Sequence, residues 1–112
     1  MKLVTGIVQP HKLADVQVAL AQHGVKGMTI SETSGYARQH GHSEIYRGEE
    51  FTIDFVLKVK VEILVSDAET EEVVNVLAES ARTGEIGDGK IWVTAVEEVV
   101  RVRTGEHGAT AI

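Results

Sequence analysis

Phe55-Val56-Leu57-Lys58-Val59-Lys60-Val61-Glu62-Ile63-Leu64-Val65 is the stretch that decides the fold. Phe55, Leu57, Val59, Val61, Ile63 and Val65 alternate with Val56, Lys58, Lys60, Glu62 and Leu64, a period of two held over 11 residues. That is a strand with one wholly apolar face. Ser66-Asp67-Ala68-Glu69 follows in the form of a capping box, whose hydroxyl and carboxylate would satisfy free N–H groups at a helix start. Val73, Val74, Leu77, Ala78 and Ala81 then stripe a helix that Gly84 is placed to end. Lys90 to Val96 reads as the next strand, and Val99 to Arg103 has the composition of a short further one.

Upstream, Lys2 to Val8 is a strand by its β-branched content and its stop at Pro10. Lys12 to His23 carries Leu13, Val16 and Leu20 at helical spacing, with Gly24 suited to the left-handed residue past its end. Met28 to Tyr36 is a second, weaker strand. The order strand, helix, strand, strand, helix, strand uses a split βαβ unit twice. It predicts an α+β, ferredoxin-like βαββαβ domain over residues 1–112, an antiparallel sheet with both helices on one face. The other face is expected to carry Val4, Val8, Val56, Leu64, Trp92 and Val96 among Lys58, Lys60 and Glu62. So large an apolar area predicts a homo-oligomer.

Composition narrows the function classes. The chain has 112 residues, 43% of them hydrophobic and 25% charged, the usage of one compact globular domain. With 11 Lys plus Arg against 17 Asp plus Glu it carries a formal charge of −6, and only five residues are aromatic, Tyr36, Tyr46, Phe51, Phe55 and Trp92. A nucleic-acid partner is therefore not expected, since phosphates need positive charge and bases need aromatic faces. There are no cysteines, which removes disulfides, thiolate metal sites and a thiol nucleophile. Neither a signal peptide nor a membrane-spanning run is evident, so the chain reads as cytoplasmic, with no direct membrane insertion.

Four groups of residues could carry chemistry. Residues 37–54 separate strands two and three by far more than a hairpin needs; they read as a mobile arm that orders on contact, or as strands that continue to a short tip. Thr83-Gly84-Glu85-Ile86-Gly87-Asp88-Gly89-Lys90 can turn successive N–H groups inward as an anion nest with a lysine countercharge, or can be a plain glycine-rich turn. Gly84 to Lys90 fits G-x-x-x-x-G-K, yet Ile91 stands where a magnesium-binding hydroxyl belongs and a strand follows where a helix should open. Arg101 and Arg103, on one side of an extended chain, could grip phosphate together or stand in solvent. His40 and His42 could bind a metal, but no third ligand is spaced to join them. No serine, histidine and carboxylate are arranged as a nucleophilic triad.

Taken together the sequence resembles the PII signal-transduction family nearly end to end. The resemblance is carried by Gly27-Met28-Thr29, Arg38-Gln39-x-Gly41-His42, Ile45-Tyr46-Arg47-Gly48, Lys58-Val59-Lys60-Val61-Glu62, Thr83-Gly84-x-Ile86-Gly87-Asp88-Gly89-Lys90 and Arg101-Val102-Arg103-Thr104-Gly105-Glu106. It implies a homotrimer with ATP or ADP bound competitively between neighbouring subunits. On that model Gly87, Asp88, Gly89 and Lys90 hold phosphates beside Ile7, and Arg101 and Arg103 reach across from the adjacent subunit. Thr29 and Leu64 line the base pocket with Glu62 nearby, and Ala37, Arg38 and Gln39 meet the phosphates at the root of the long loop. The family's effector, 2-oxoglutarate, would bind with magnesium-ATP through Gln39, Gly41, Lys58 and Gly87, with Gln39 also at the metal.

The implied partners are an ammonium transporter, reached by Tyr46, Arg47 and Phe51 of the loop, and nitrogen-assimilation enzymes or their regulators. A transporter partner would give a cytoplasmic protein a peripheral place at the membrane. The chain departs from the family at Phe51, which stands where many members carry a nucleotidylylated tyrosine, and at Glu49, where some carry a phosphorylated serine. No covalent switch is expected at either position. Ala37 replaces a hinge glycine, and Gln9 and Leu57 replace a commoner lysine and proline. The resemblance implies a non-enzymatic sensor; the competing reading is a slow ATPase using the nest at Gly84 to Lys90.

Overall fold

The computed structural model describes residues 1–36, 43–46, 49–52 and 55–112, the two short middle stretches by backbone alone. Its elements are β1 (Lys2–Val8), α1 (Leu13–His23), β2 (Thr29–Tyr36), β3 (Ser43–Tyr46), β4 (Glu49–Thr52), β5 (Phe55–Val65), α2 (Thr70–Ala81) and β6 (Lys90–Ala95). The main sheet runs β2-β5-β1-β6, every neighbouring pair is antiparallel, and both helices pack on one of its faces. This is the ferredoxin-like α+β arrangement expected from the sequence.

The alternation in β5 becomes burial. Val59, Val61, Ile63 and Val65 lie at 6% exposure or less and meet Val16 and Leu20 of α1 and Val73, Leu77 and Ala81 of α2. Phe55 and Leu57 have the same parity but lie beyond the helices, so they stay exposed. Gly6 pairs with Val61 on one side and Ile91 on the other. A Cβ there would come within 2.9 Å of the Leu77 side chain, so the bare glycine lets α2 lie close to the sheet.

Five expectations change. Val4 and Val8 belong to the helix-covered face, 0% and 1% exposed, because the register sets them beside Ile63 and Val59. The open face takes Leu3, Thr5 and Ile7 from β1 instead, beside Leu64, Glu62 and Lys60 of β5. No capping box forms: Ser66 offers its carbonyl, which accepts from Glu69 N and from Thr70 Oγ1 at 2.8 Å, while residues 67–69 make a 3-10 turn. α2 ends at Ala81, before Gly84, as Arg82 turns extended. The stretch Val99 to Arg103 is not a strand; it contributes one bridge, Val100 to His107, and then a turn closed by Gly105 N on the Arg101 carbonyl at 2.8 Å.

Smaller shifts fall at element ends. A 3-10 turn, Pro10–Lys12, precedes α1, and Gly24 closes that helix with φ 105°. β6 stops at Ala95, although Val96 N still donates to the Met1 carbonyl at 3.1 Å. The long connection has structure of its own. The β2–β5 ladder ends at Tyr36 opposite Phe55, and β3 pairs with β4 as a separate two-stranded sheet from Ser43 opposite Thr52 to Tyr46 opposite Glu49. Whether the arm is mobile concerns residues 37–42, 47–48 and 53–54, which lie outside the described residues.

Leu77 fills the space between Gly6 and the helix pair at 0% exposure. Leu77→Ala is expected to lower unfolding free energy by about 2–5 kcal/mol, since neither sheet nor helix can collapse into the gap. Urea denaturation at a fixed protein concentration, with the midpoint falling and the slope retained, checks this.

Candidate functional site

The loop after α2 turns on glycines and is fastened by a carboxylate. Gly84, Gly87 and Gly89 take φ values of 86°, 103° and 93°, a region that side chains with a Cβ rarely adopt. Asp88 points back into the loop. Its oxygens accept from the Thr83 hydroxyl, from Thr83 N and Gly84 N, each at 2.9 Å, and from Gln9 Nε2 at 3.1 Å. These bonds, the Thr83 hydroxyl first and its N–H next, hold the Asp88 carboxyl far below the usual carboxylate range. A carboxylate fastened this way contributes order above about pH 4, its ordinary titration range, and that contribution fades only as acid protonates the bound form. The Asp88 side chain therefore serves the loop, and the loop's offering to an anion is its backbone.

Gly89 fixes where that backbone lies. A Cβ on it would overlap the carbonyl oxygen of Ile7, so only glycine allows the approach. The next residue, Lys90, opens β6 opposite Ile7, which places its side chain on the open face of the sheet. Lys58 stands on the same face of β5, and its Nζ donates to the carbonyl of Gly87. Ile7, Lys58, Gly87, Asp88, Gly89 and Lys90 are thus gathered at one end of the open face.

Thr29, Glu62 and Leu64 lie elsewhere on that face. Thr29 pairs with Glu62, and both, with Leu64, Gly27 and Met28, line a groove of about 770 Å³ whose far wall includes Ile112. Thr29 is on β2 and Lys90 on β6, opposite edges of the sheet. Three strand spacings separate them, about 14 Å sideways. Within one chain the groove and the glycine loop do not form one pocket.

Arg101 and Arg103 are not the extended pair the spacing suggested, because residues 101–105 form a turn. Arg101 is held by its own chain, with Nη1 3.2 Å from Glu106 Oε1 and Nη2 donating to the Thr110 carbonyl at 3.0 Å. Arg103 is exposed on the turn. The segment that holds Arg101 also supplies Ala109, Ala111 and Ile112 to the groove. Arg101 therefore sits on the groove side of the molecule.

Sequence reasoning missed two partners in this arrangement, Gln9 for Asp88 and Glu106 for Arg101. Gln9 is 79 residues from Asp88, and only the folded chain brings them together. Glu106 follows Arg101 closely, but its role depends on a turn where extended chain was expected. Ala37, Arg38, Gln39, Gly41 and Arg47 lie outside the described residues, as do His40 and His42. Tyr46 and Phe51 fall on β3 and β4, described by backbone alone. Among the described residues no cluster of three His, Cys, Asp or Glu could hold a metal ion, and no helix is long and apolar enough to cross a membrane.

A family model described as nitrogen regulatory protein P-II matches residues 1–106. Nitrogen regulatory protein P-II of Azospirillum brasilense is 50% identical over 112 residues, the whole of both chains. Its namesake from Microchaete diplosiphon is 51% identical over the same full span. Nitrogen regulatory protein GlnK of Escherichia coli is 46% identical, again end to end. With a family model over nearly its whole length and relatives at about half identity throughout, this chain belongs to the nitrogen regulatory protein P-II family.

Proposed function

We propose that the protein is a non-enzymatic sensor of nitrogen, carbon and energy status. It works as a homotrimer that binds ATP or ADP between subunits and takes 2-oxoglutarate beside magnesium-ATP. Residues 37–54 pass the result to an ammonium transporter or to nitrogen-assimilation enzymes and their regulators. The observation that carries this reading is the glycine loop pressed on Ile7, with Lys90 beside it and Lys58 on the Gly87 carbonyl. Backbone N–H groups in a loop turned by left-handed glycines, with two ammonium groups at hand, suit the oxygens of a phosphate chain.

The intersubunit placement rests on two further features. The base groove and the glycine loop lie on opposite sheet edges of one chain, so a neighbour's groove can complement this chain's loop. The open face also exposes Leu64 at 40% and Trp92 at 45%, beside Leu3 and Ile7, an apolar area that association would cover. Glu62 and Thr29 supply polar atoms that a base edge needs, in a groove whose lining also includes Lys26, Ser66 and Glu69.

A dicarboxylate is repelled by a triphosphate unless a cation lies between them, and magnesium held with Gln39 would supply that charge. Lys58 would neutralise a carboxylate on the other side, since its ammonium already reaches the loop at Gly87. Binding that depends on the loop root then changes which conformations of residues 37–54 are populated, and a partner selects among them. Phenylalanine at 51 and glutamate at 49 offer no hydroxyl for a nucleotidyl or phosphoryl group, so no covalent switch forms at those two positions.

Titration calorimetry is expected to give one ATP or ADP per chain, each displacing the other. Gly89→Ala is expected to weaken both by a hundredfold or more, because the added carbon collides with Ile7 and the backbone φ is forbidden to it. A wild-type chain that takes up neither nucleotide would end this reading. In the same cell 2-oxoglutarate is expected to bind only with ATP and magnesium present, and Lys58→Met to weaken it at least tenfold. Equal binding without nucleotide would refute the bridging cation. Sedimentation equilibrium at micromolar concentration is expected to return the trimer mass, whereas a monomer would remove the shared site.

A further inference from the structure

Besides the bond from Lys58 Nζ on β5 to the Gly87 carbonyl, the glycine loop is joined to β1 at two points. One is the backbone contact of Gly89 with Ile7; the other is a side chain, Gln9, whose Nε2 donates to Asp88 Oδ1 at 3.1 Å. Gln9 follows β1 directly, and Pro10 after it opens a 3-10 turn, so its backbone is set by the strand on one side and a fixed ring on the other. Asp88 is the hub of the loop, tying Thr83 and Gly84 to the residue between Gly87 and Gly89. Among the described residues Gln9 is the only side chain from outside the loop that bonds this hub.

The charge on that hub matters as much as its position. Among the described residues, all the groups that hydrogen-bond Asp88 are neutral: an amide side chain, a hydroxyl and two backbone N–H groups. None of the ion pairs among the described residues involves Asp88. Its full negative charge thus stands beside the backbone that would receive phosphate oxygens. A ligand with more phosphate charge feels that repulsion more strongly.

We propose that Gln9 is a positioning residue for phosphate recognition, holding the loop against β1 with a neutral donor and so keeping the preference for ATP over ADP small. This rests on the nucleotide reading of the site. A donor at position 9 keeps the loop in place; the absence of charge on that donor leaves Asp88 to weigh against the longer polyphosphate. The chemistry selected is a nucleoside polyphosphate whose di- and triphosphate forms compete on nearly equal terms.

The test is calorimetry of the full-length chain with ATP and with ADP, in magnesium, for wild type, Gln9→Ala and Gln9→Lys. Gln9→Ala is expected to weaken both nucleotides about tenfold with their ratio retained, since it removes the side-chain tie between Asp88 and β1 without changing charge. Gln9→Lys keeps a donor and adds a cation beside Asp88. It is expected to raise the ATP-to-ADP affinity ratio about three- to tenfold at low ionic strength, with the gain shrinking toward 0.5 M salt, where exposed charges are screened (a range of about 4 Å). A merely structural residue would move stability or both affinities but not that salt-dependent ratio. If wild type binds both nucleotides and either Gln9→Ala binds as wild type or Gln9→Lys leaves the ratio unchanged, this inference falls and the nucleotide reading stands. If wild type binds neither, both fall together.

Discussion

β1 is paired on both sides, with β5 and with β6, and this double ladder fixes where the glycine loop meets the sheet. Ile7 faces Lys60 on one side and Lys90 on the other, while Gly6 between its neighbours leaves room for Leu77. A slip of one residue in either ladder would turn the buried valines to water, so the register is held by the whole core. The same register delivers Gly89 to the carbonyl of Ile7, a contact no other residue type could make. The hydrophobic face of the sheet thus positions the polar loop at its end. Burial supplies the energy that keeps this glycine-turned stretch of backbone in place.

The electrostatics divide into a global term and a local one. The chain carries a net charge of −6, which opposes the approach of any polyanion from a distance. The open face reverses this locally, with Lys58 and Lys60 projecting from β5 and Lys90 from β6, the strands on either side of β1. Lys60 is partly occupied by Glu62 at 3.8 Å, and Lys58 by the Gly87 carbonyl. A carbonyl does not neutralise an ammonium, so Lys58 keeps its charge for an anion while its position is set. Salt screens the first term over about 8 Å at physiological strength, whereas contacts inside the loop are felt at shorter range.

How much of this could be read from the chain depends on the range of the interaction involved. The β5 strand, both helices and the order of elements follow from periodicity within a dozen residues, and they were legible. The face of β1 was not, because Leu3, Val4, Ile7 and Val8 offer apolar residues at both parities. Only pairing with β5 decides that Val4 and Val8 go under the helices. Ser66 and Glu69 fit a capping pattern, yet a 3-10 turn intervenes and Thr70 bonds the Ser66 carbonyl instead. The Gly87–Lys90 turn was visible as glycine spacing, but the reason for Gly89 is an oxygen 82 positions earlier in the chain (89 − 7). Local patterns name the turn, and distant contacts explain it.

Arg101 shows what a held cation implies for a ligand. Its guanidinium already has a carboxylate from Glu106 and the Thr110 carbonyl, and its own backbone N–H donates to the Glu106 carbonyl at 2.9 Å. A phosphate drawn to Arg101 would meet donors that are partly satisfied, so its gain is the difference between two sets of charge-assisted bonds. The segment released in such an exchange includes residues 109–112, three of which, Ala109, Ala111 and Ile112, stand at the groove. The groove wall and the arginine are therefore one mechanical unit, tied through residues 106–112. A ligand that changed the bonds of Arg101 would also act on the wall beside Thr29 and Leu64, and the reverse would hold by the same connection.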